Sequence, residues 1–374
     1  MIQPYPPLPT LATQLPIPAL TASQWLALAA EAESAGLAPL LYVRLTERGA
    51  DQVPAPARER LRQVYAATGL RYLLLQTAWG EVLAALQAAH IRVMVLKGAA
   101  LLSQVYADPA IRPIRDLDLL ITFDQFPQAQ SLLRRLGFAP QYVRPFTDRS
   151  GLCWNEQAFM RPGAPEAQVE LHWALLDIPR YAPHLNLTTL WERGRPITVA
   201  GVATRGLGLE DSLLHLSAHH LYHHQAQAEL AILDITQVVF CHQDDINWSF
   251  VLQQAQTLHL SLALRVSLAA AAGLWAAPVP DWVLGQLARA TVSLRERWWT
   301  AAQGSEFLKL LRTWLALPTL SLQLIYAWKQ LFPDRAYLEW RYAGTAASSL
   351  WGLYGRRLAG AAAHLRQELR ARIG

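Results

Sequence analysis

The sequence predicts a helix-rich α+β fold: a small mixed β-sheet core, residues 91–207, between an N-terminal helical region, 1–90, and a C-terminal helical domain, 208–374. Three observations carry this expectation. Helix-forming Ala and Leu dominate a chain that is 52% hydrophobic and only 16% charged. Helical-period apolar spacing fills the first and last stretches, whereas short apolar runs broken by Gly and Pro crowd the middle. At 374 residues the chain exceeds one average domain, so two or three are expected.

Residues 1–20 are proline-rich and read as an extended lead-in. A helix opens at Thr21, with Trp25, Leu26, Leu28 and Ala29 inward, and a second runs near Ala38 to Arg48. Ala57 to Gln87 reads as one or two long helices with Leu70, Leu73, Leu74 and Trp79 as the apolar stripe. Val93 to Leu96 is a buried strand broken by Gly98, followed by a helix from Ala99 to Tyr106 and a strand from Leu117 to Ile121. Gln125 to Leu136 is a helix ended by Gly137. Strands are expected at Phe138 to Arg144, Trp154 to Arg161, Ala167 to Trp173 and Ile197 to Val202. From Leu209 the pattern is helical: Ser212 to His224, capped by Asp211 or a neighbour, then Leu230 to His242, then Ser249 to Leu258 behind Asn247, with later helices after Pro280, Thr291 and Ser305.

Net charge is +5 with a pI near 9.3, which suits an anionic substrate and falls far short of a nucleic-acid-coating protein. Arg356, Arg357, Arg366, Arg370 and Arg372 near the end read as a solvated helix face. Cys153 and Cys241 form neither a disulfide framework nor a zinc pattern, so a reducing, cytoplasmic setting is expected. No signal peptide is expected, and the greasy run from Leu258 to Pro280 contains His259 and Arg265 and reads as a packed helix, leaving no membrane span.

The chemistry concentrates at Lys97-Gly98 and at Asp116-Leu117-Asp118. Strand side chains alternate, so Asp116 and Asp118 share a face. Two carboxylates side by side repel unless a cation sits between them, and Mg²⁺ (or Mn²⁺) typically takes one or two carboxylates plus substrate phosphates. Gly98 lets the backbone approach a phosphate at the start of a helix, and Lys97 adds a point charge there. Lys97 is one of only three lysines, with Lys309 and Lys329. Arg112 and Arg115 flank the carboxylates, either neutralising a triphosphate or pairing with Asp116 and Asp118.

This order of strand, Lys-Gly turn, helix, basic corner and Asp-x-Asp strand resembles the nucleotidyltransferase superfamily of the polymerase-beta type. More narrowly it resembles the bacterial family of uncharacterised nucleotidyltransferases with a Leu-Lys-Gly turn and an Arg-x-x-x-Asp-x-Asp strand. Leu96-Lys97-Gly98 and Arg112 to Asp118 fill those places, although better-known superfamily members carry Gly-Gly or Gly-Ser at the turn. The resemblance implies a third carboxylate, matched by Glu170 in Gln168-Val169-Glu170-Leu171-His172, with Asp116, Asp118 and Glu170 as metal ligands and catalytic residues. His172, on the same face as Glu170, is expected to orient the acceptor or take its proton.

The expected activity is Mg²⁺-dependent transfer of a nucleoside monophosphate from a nucleoside triphosphate, ATP by first choice, to an unidentified acceptor: a small molecule, a peptide or RNA. The competing expectation is an inactive binding protein on the same fold, antitoxin-like or peptide-binding. His215, His219 and His223 lie on one helix face and His220 with His224 on another, a spacing that can also hold zinc. The resemblance places a histidine near the cleft, consistent with His219. Asp234 is expected to cap or pair with arginine. Of the fourteen tryptophans most are expected in the core, with Trp154, Trp173 and Trp191 nearest the sheet.

Overall fold

The computed structural model describes residues 20–47, 49, 53–176, 187–223, 228–301, 305–343 and 349–360. The lead-in before residue 20, His224 and the arginines Arg366, Arg370 and Arg372 lie outside the described residues.

Helix α1 (Ala22–Ser34) opens on Thr21, whose hydroxyl accepts from the Gln24 N–H while the Gln24 side chain accepts the Thr21 N–H, a reciprocal cap. Trp25, Leu28 and Ala29 are buried, but Leu26, expected inward, is exposed. Helix α2 (Ala38–Glu47) precedes α3 (Ala55–Ala88), a single helix of 34 residues. Its expected stripe is corrected: Leu70, Leu73 and Leu74 are exposed, and the buried ridge is Leu75, Ala78, Trp79, Val82 and Leu86. That ridge keeps the helical spacing but lies one position further round the helix.

Seven strands form one mixed sheet: β1 (Met94–Val95), β2 (Asp116–Leu120), β3 (Ala139–Pro140), β4 (Glu156–Arg161), β5 (Ala167–His172), β6 (Arg195–Val199) and β7 (Val202–Gly206). Their spatial order is β3-β4-β5-β2-β1-β7-β6. β2 runs parallel to β5 and β1 parallel to β7; the other pairs are antiparallel. The expected strand from Val93 to Leu96 shortens to β1, and that from Phe138 to Arg144 shortens to β3, where Pro140 offers no N–H to a ladder. The single strand expected from Ile197 to Val202 is a hairpin. Ala200 and Gly201 both have positive φ, 51° and 75°, the combination a two-residue hairpin turn requires.

Helix α4 (Lys97–Gln104) leaves the turn after β1, and α5 (Phe126–Arg135) ends as expected at Gly137, φ 83°. There the Gly137 N–H donates to the Arg134 carbonyl and the Phe138 N–H to the Leu133 carbonyl. After α6 (Leu187–Arg193) and the β6–β7 hairpin the chain is helical: α7 (Leu209–His223), α8 (Ala228–His242), α9 (Trp248–Thr257), α10 (Ser261–Trp275), and α11 (Asp281–Arg289) through α15 (Arg335–Arg341). Helix α7 starts earlier than expected, and Asp211 does not cap it; its carboxylate receives the Arg193 guanidinium at 2.8 Å on each oxygen. The run from Leu258 to Pro280 is α10, bounded by left-handed His259 and Ala276. No described helix is long and apolar enough to cross a membrane.

The odd positions of β2 and β5 anchor this α+β fold. Leu117, Leu119, Val169 and Leu171 are fully buried and join one continuous core that also takes in Trp25, Trp79, Leu213 and Leu264. Burying each such side chain stabilises the fold by about 1.5–3 kcal/mol. The even positions of the same strands are thereby turned to the opposite face, where the polar residues gather.

Candidate active site

The register of three adjacent strands builds the site. Asp118 on β2 pairs with Glu170 on β5, which pairs with Ala158 on β4; one step along, Leu120, His172 and Glu156 form the next row. Paired residues share a face, so Asp116, Asp118, Glu170, His172 and Glu156 all project to one side. Asp118 is 3% exposed and its Oδ1 accepts from Lys97 Nζ and from His172 Nε2, both at 2.9 Å. Glu170 Oε2 lies 3.5 Å from the same His172 nitrogen, and Glu170 Oε1 accepts from Gln168 Nε2 at 2.8 Å. Glu156 Oε2 sits 3.3 Å from His172 Nδ1, at ion-pair distance but out of line for a hydrogen bond. Sequence reading did not find Glu156, because only the β4–β5 register places it opposite His172.

The electrostatics follow from this crowding. Burial together with the Asp118 and Glu170 carboxylates raises Asp116 to about 7. Burial also works to raise Asp118, but the Lys97 ammonium and the His172 ring overcome it and hold the carboxyl far below the usual range. Burial opposes the charge on Lys97; Asp118, Glu170 and Glu156 outweigh it and hold the ammonium firmly protonated. His172, 1% exposed, is pushed down by burial and by Lys97, yet its hydrogen bonds to Asp118 and Glu170 and the Glu156 charge lift it to about 9. In the metal-free chain it is therefore charged at neutral pH.

Arg112 is 9% exposed and committed to Asp234 on α8, with Nε to Oδ1 at 2.8 Å and Nη2 to Oδ2 at 2.7 Å, while Nη1 donates to the Pro113 carbonyl at 3.0 Å. Tyr106 donates to the same Asp234 Oδ1 at 2.8 Å. The expected pairing of Asp234 with arginine is thus present, whereas the alternative pairing of Arg112 with Asp116 or Asp118 is not made. The guanidinium packs closely against the glycine of the turn: a Cβ added at Gly98 would stand 2.5 Å from Arg112 Nη1 and 3.0 Å from Cζ. Since the two-point bond to Asp234 keeps Arg112 from yielding, Gly98→Ala is expected to destabilise the chain by about 1–3 kcal/mol. Urea unfolding of the variant measures this, and an unchanged midpoint would contradict the fixed position of Arg112.

A cavity of about 270 Å³ opens beside these groups, lined by Lys97, Gly98, Arg112, Arg115, Asp116, Asp118, Glu170 and His219, with Leu216, Leu230 and Asp234 from α7 and α8. No tryptophan lines it. Trp173 is buried, donating to the Trp154 carbonyl at 2.7 Å, and Trp191 is buried beneath the Arg92 guanidinium. Among the described residues, ligand atoms of Asp118, Glu170 and His172 approach within 4.8 Å of one another, a set able to hold a metal ion. Asp116 lines the cavity outside that set, and the histidines of α7 form no such group among the described residues.

His215, read from sequence as a possible zinc ligand, is 4% exposed and neither ring nitrogen has a hydrogen-bond partner. Burial first, then the Lys97 and His172 charges, push it down to about 3. The folded chain resists protonating this ring, so its contribution is intact above the ordinary value of 6.5 and is lost as pH falls from 6.5 towards 3. The slope is about 1.4 kcal/mol per pH unit. His172 acts in the opposite window: its raised value stabilises the fold fully below 6.5 and ceases to do so as pH climbs through about 9. In metal-free buffer His215→Leu is expected to flatten the acid limb of a stability-against-pH curve and leave the alkaline limb alone. Parallel curves for variant and wild type would refute this.

A mixed sheet presenting carboxylates from two strands beside a lysine-glycine turn defines a nucleotidyltransferase-like α+β protein. The chain belongs to the family described as uncharacterised nucleotidyltransferases, which it matches over residues 21–276. No curated protein matches it. Among solved structures it is similar to an antigenic nucleotidyltransferase-like protein from Paracoccidioides brasiliensis, at 17% identity, covering 51% of this chain and 92% of that one, with a TM-score of 0.32.

Proposed function

We propose that this chain is a divalent-metal-dependent nucleotidyltransferase that moves a nucleoside monophosphate from a nucleoside triphosphate, ATP by first choice, to an acceptor. One observation carries the reading. The parallel pairing of Asp118 with Glu170 brings carboxylates from distant segments together at the mouth of a cavity that also holds Lys97 and Gly98. The residues fit a divalent cation, since the parallel register turns the Asp116, Asp118 and Glu170 carboxylates to one face beside the cavity, and hard divalent ions take oxygen donors. Asp116, Asp118 and Glu170 would hold Mg²⁺ or Mn²⁺, which supplies charge stabilisation at the reacting phosphate.

The chain's own groups do the rest. Lys97 and the backbone at Gly98, where the α4 N–H groups begin, would hold the phosphates, and Arg115 adds charge at the rim. Arg112, held by Asp234, braces the turn from the cavity wall. His219 faces the cavity where an acceptor would enter. His172 fixes the orientation of Asp118 through its Nε2–H. In the transfer, a nucleophilic atom of the acceptor bonds to the α-phosphorus, the bond to the bridging oxygen breaks, pyrophosphate departs with that electron pair, and the acceptor's proton passes to solvent. The acceptor class remains a small molecule, a peptide or RNA.

The decisive experiment incubates the protein with each α-labelled triphosphate and a cell extract and identifies what becomes labelled. Label in an acceptor, dependent on Mg²⁺ or Mn²⁺, supports the transferase; absence of label with all of the triphosphates and both metals overturns it. A second reading, an inactive partner-binding protein on this fold, is favoured by one feature: Lys97 and His172 already satisfy Asp118 Oδ1. Calorimetry with ATP and Mg²⁺ separates them, because only the transferase reading expects metal-dependent triphosphate binding.

A further inference from the structure

We propose that Lys97 is a resident cation of this site, its ammonium standing where a second divalent ion would otherwise contact Asp118, so that the site operates with one divalent ion and one lysine. This inference rests on the transferase reading above.

The backbone gives the first indication. Lys97 has φ 46°, a left-handed conformation that glycine adopts freely and that costs another residue roughly 1–2 kcal/mol. A strained lysine in a turn where glycine would fit calls for a compensating role, and its ammonium has one. The side chain is only 15% exposed and its Nζ ends 2.9 Å from Asp118 Oδ1.

The arrangement at Asp118 gives the second. Two-metal transfer sites set their ions about 3.5–4 Å apart, which requires a carboxylate that reaches both. Here Oδ1 of Asp118 already accepts from Lys97 and from His172, and Glu170 Oε1 accepts from Gln168. Ligand atoms of Asp118, Glu170 and His172 make one metal-capable group among the described residues. Arg112 cannot take the part of Lys97, because both of its outward edges are committed to Asp234 and Pro113.

The test is electron paramagnetic resonance of the full chain with Mn²⁺ and an α,β-methylene analogue of ATP. Wild type is expected to give the spectrum of isolated Mn²⁺ with no coupling between ions. Lys97→Gly, which relieves the backbone and empties the place of the ammonium, is expected to give a spin-coupled pair. Lys97→Met, which keeps the stem and removes the charge, is expected to admit the second ion as well. A coupled pair in wild type overturns the inference and leaves the transferase reading standing. Uncoupled Mn²⁺ in both variants, each folded and binding the analogue, also overturns it. Failure of the analogue to bind wild type with either Mn²⁺ or Mg²⁺ overturns both readings together, and the wild-type spectrum is decisive should neither variant fold.

Discussion

Asp118→Ala is expected to abolish metal-dependent triphosphate binding and to lower any transfer rate by roughly a thousandfold or more, since several kcal/mol of charge stabilisation depend on that carboxylate. The same change removes the shared acceptor of two buried cations, Lys97 and His172. Breaking a buried ion pair from one side typically costs about 3–5 kcal/mol, because the partner is left without compensation. The variant is therefore expected to be both inactive and less stable, and the two effects can be separated. Lys97→Met combined with Asp118→Ala removes one of the stranded charges, so it should recover part of the lost stability in urea unfolding while recovering no binding by calorimetry. A single variant that binds ATP and Mg²⁺ like wild type would remove Asp118 from the site.

How much of this was legible beforehand depended on distance along the chain. Alternation within a strand needs only neighbouring residues, so the shared face of Asp116 and Asp118, and that of Glu170 and His172, could be read directly. The meeting of those two faces is a matter of register between strands 52 residues apart in the chain, as Asp118 opposite Glu170 shows. Only the family resemblance anticipated it, and nothing anticipated Glu156. The hairpin at Ala200-Gly201 was hidden because a non-glycine residue occupies one of its two left-handed positions. Leu70, Leu73 and Leu74 show the opposite failure: their helical spacing is real, but spacing alone does not say which of two apolar ridges on α3 meets the core. Arg112 was legible as a cation beside the carboxylates. Its actual partner is 122 residues away on α8, beyond any local pattern.

That long-range pair carries the second large effect. Asp234 is 3% exposed and Arg112 9%, and the two-point geometry between them satisfies both charges. Burial works against the Arg112 charge, yet Asp234 outweighs it and holds the guanidinium still more firmly protonated. Asp234→Ala would leave that cation buried among Pro113, Gly98 and Tyr106, and Tyr106 would lose its acceptor as well. A loss of about 3–5 kcal/mol is expected, read as a lowered urea midpoint. Replacing both partners, Arg112→Met with Asp234→Leu, should restore most of it, because a buried pair exchanged for apolar side chains of similar volume is close to neutral. The double variant also separates support from chemistry. Arg112 lines the cavity beside the Gly98 turn but is no member of the metal-capable set, so the restored protein should bind Mn²⁺, while its affinity for triphosphate stays weakened by the lost cation and the loosened turn. A loss below about 1 kcal/mol in Asp234→Ala, the range of an exposed pair, would mean that the Arg112 charge finds water and is not locked as the geometry requires.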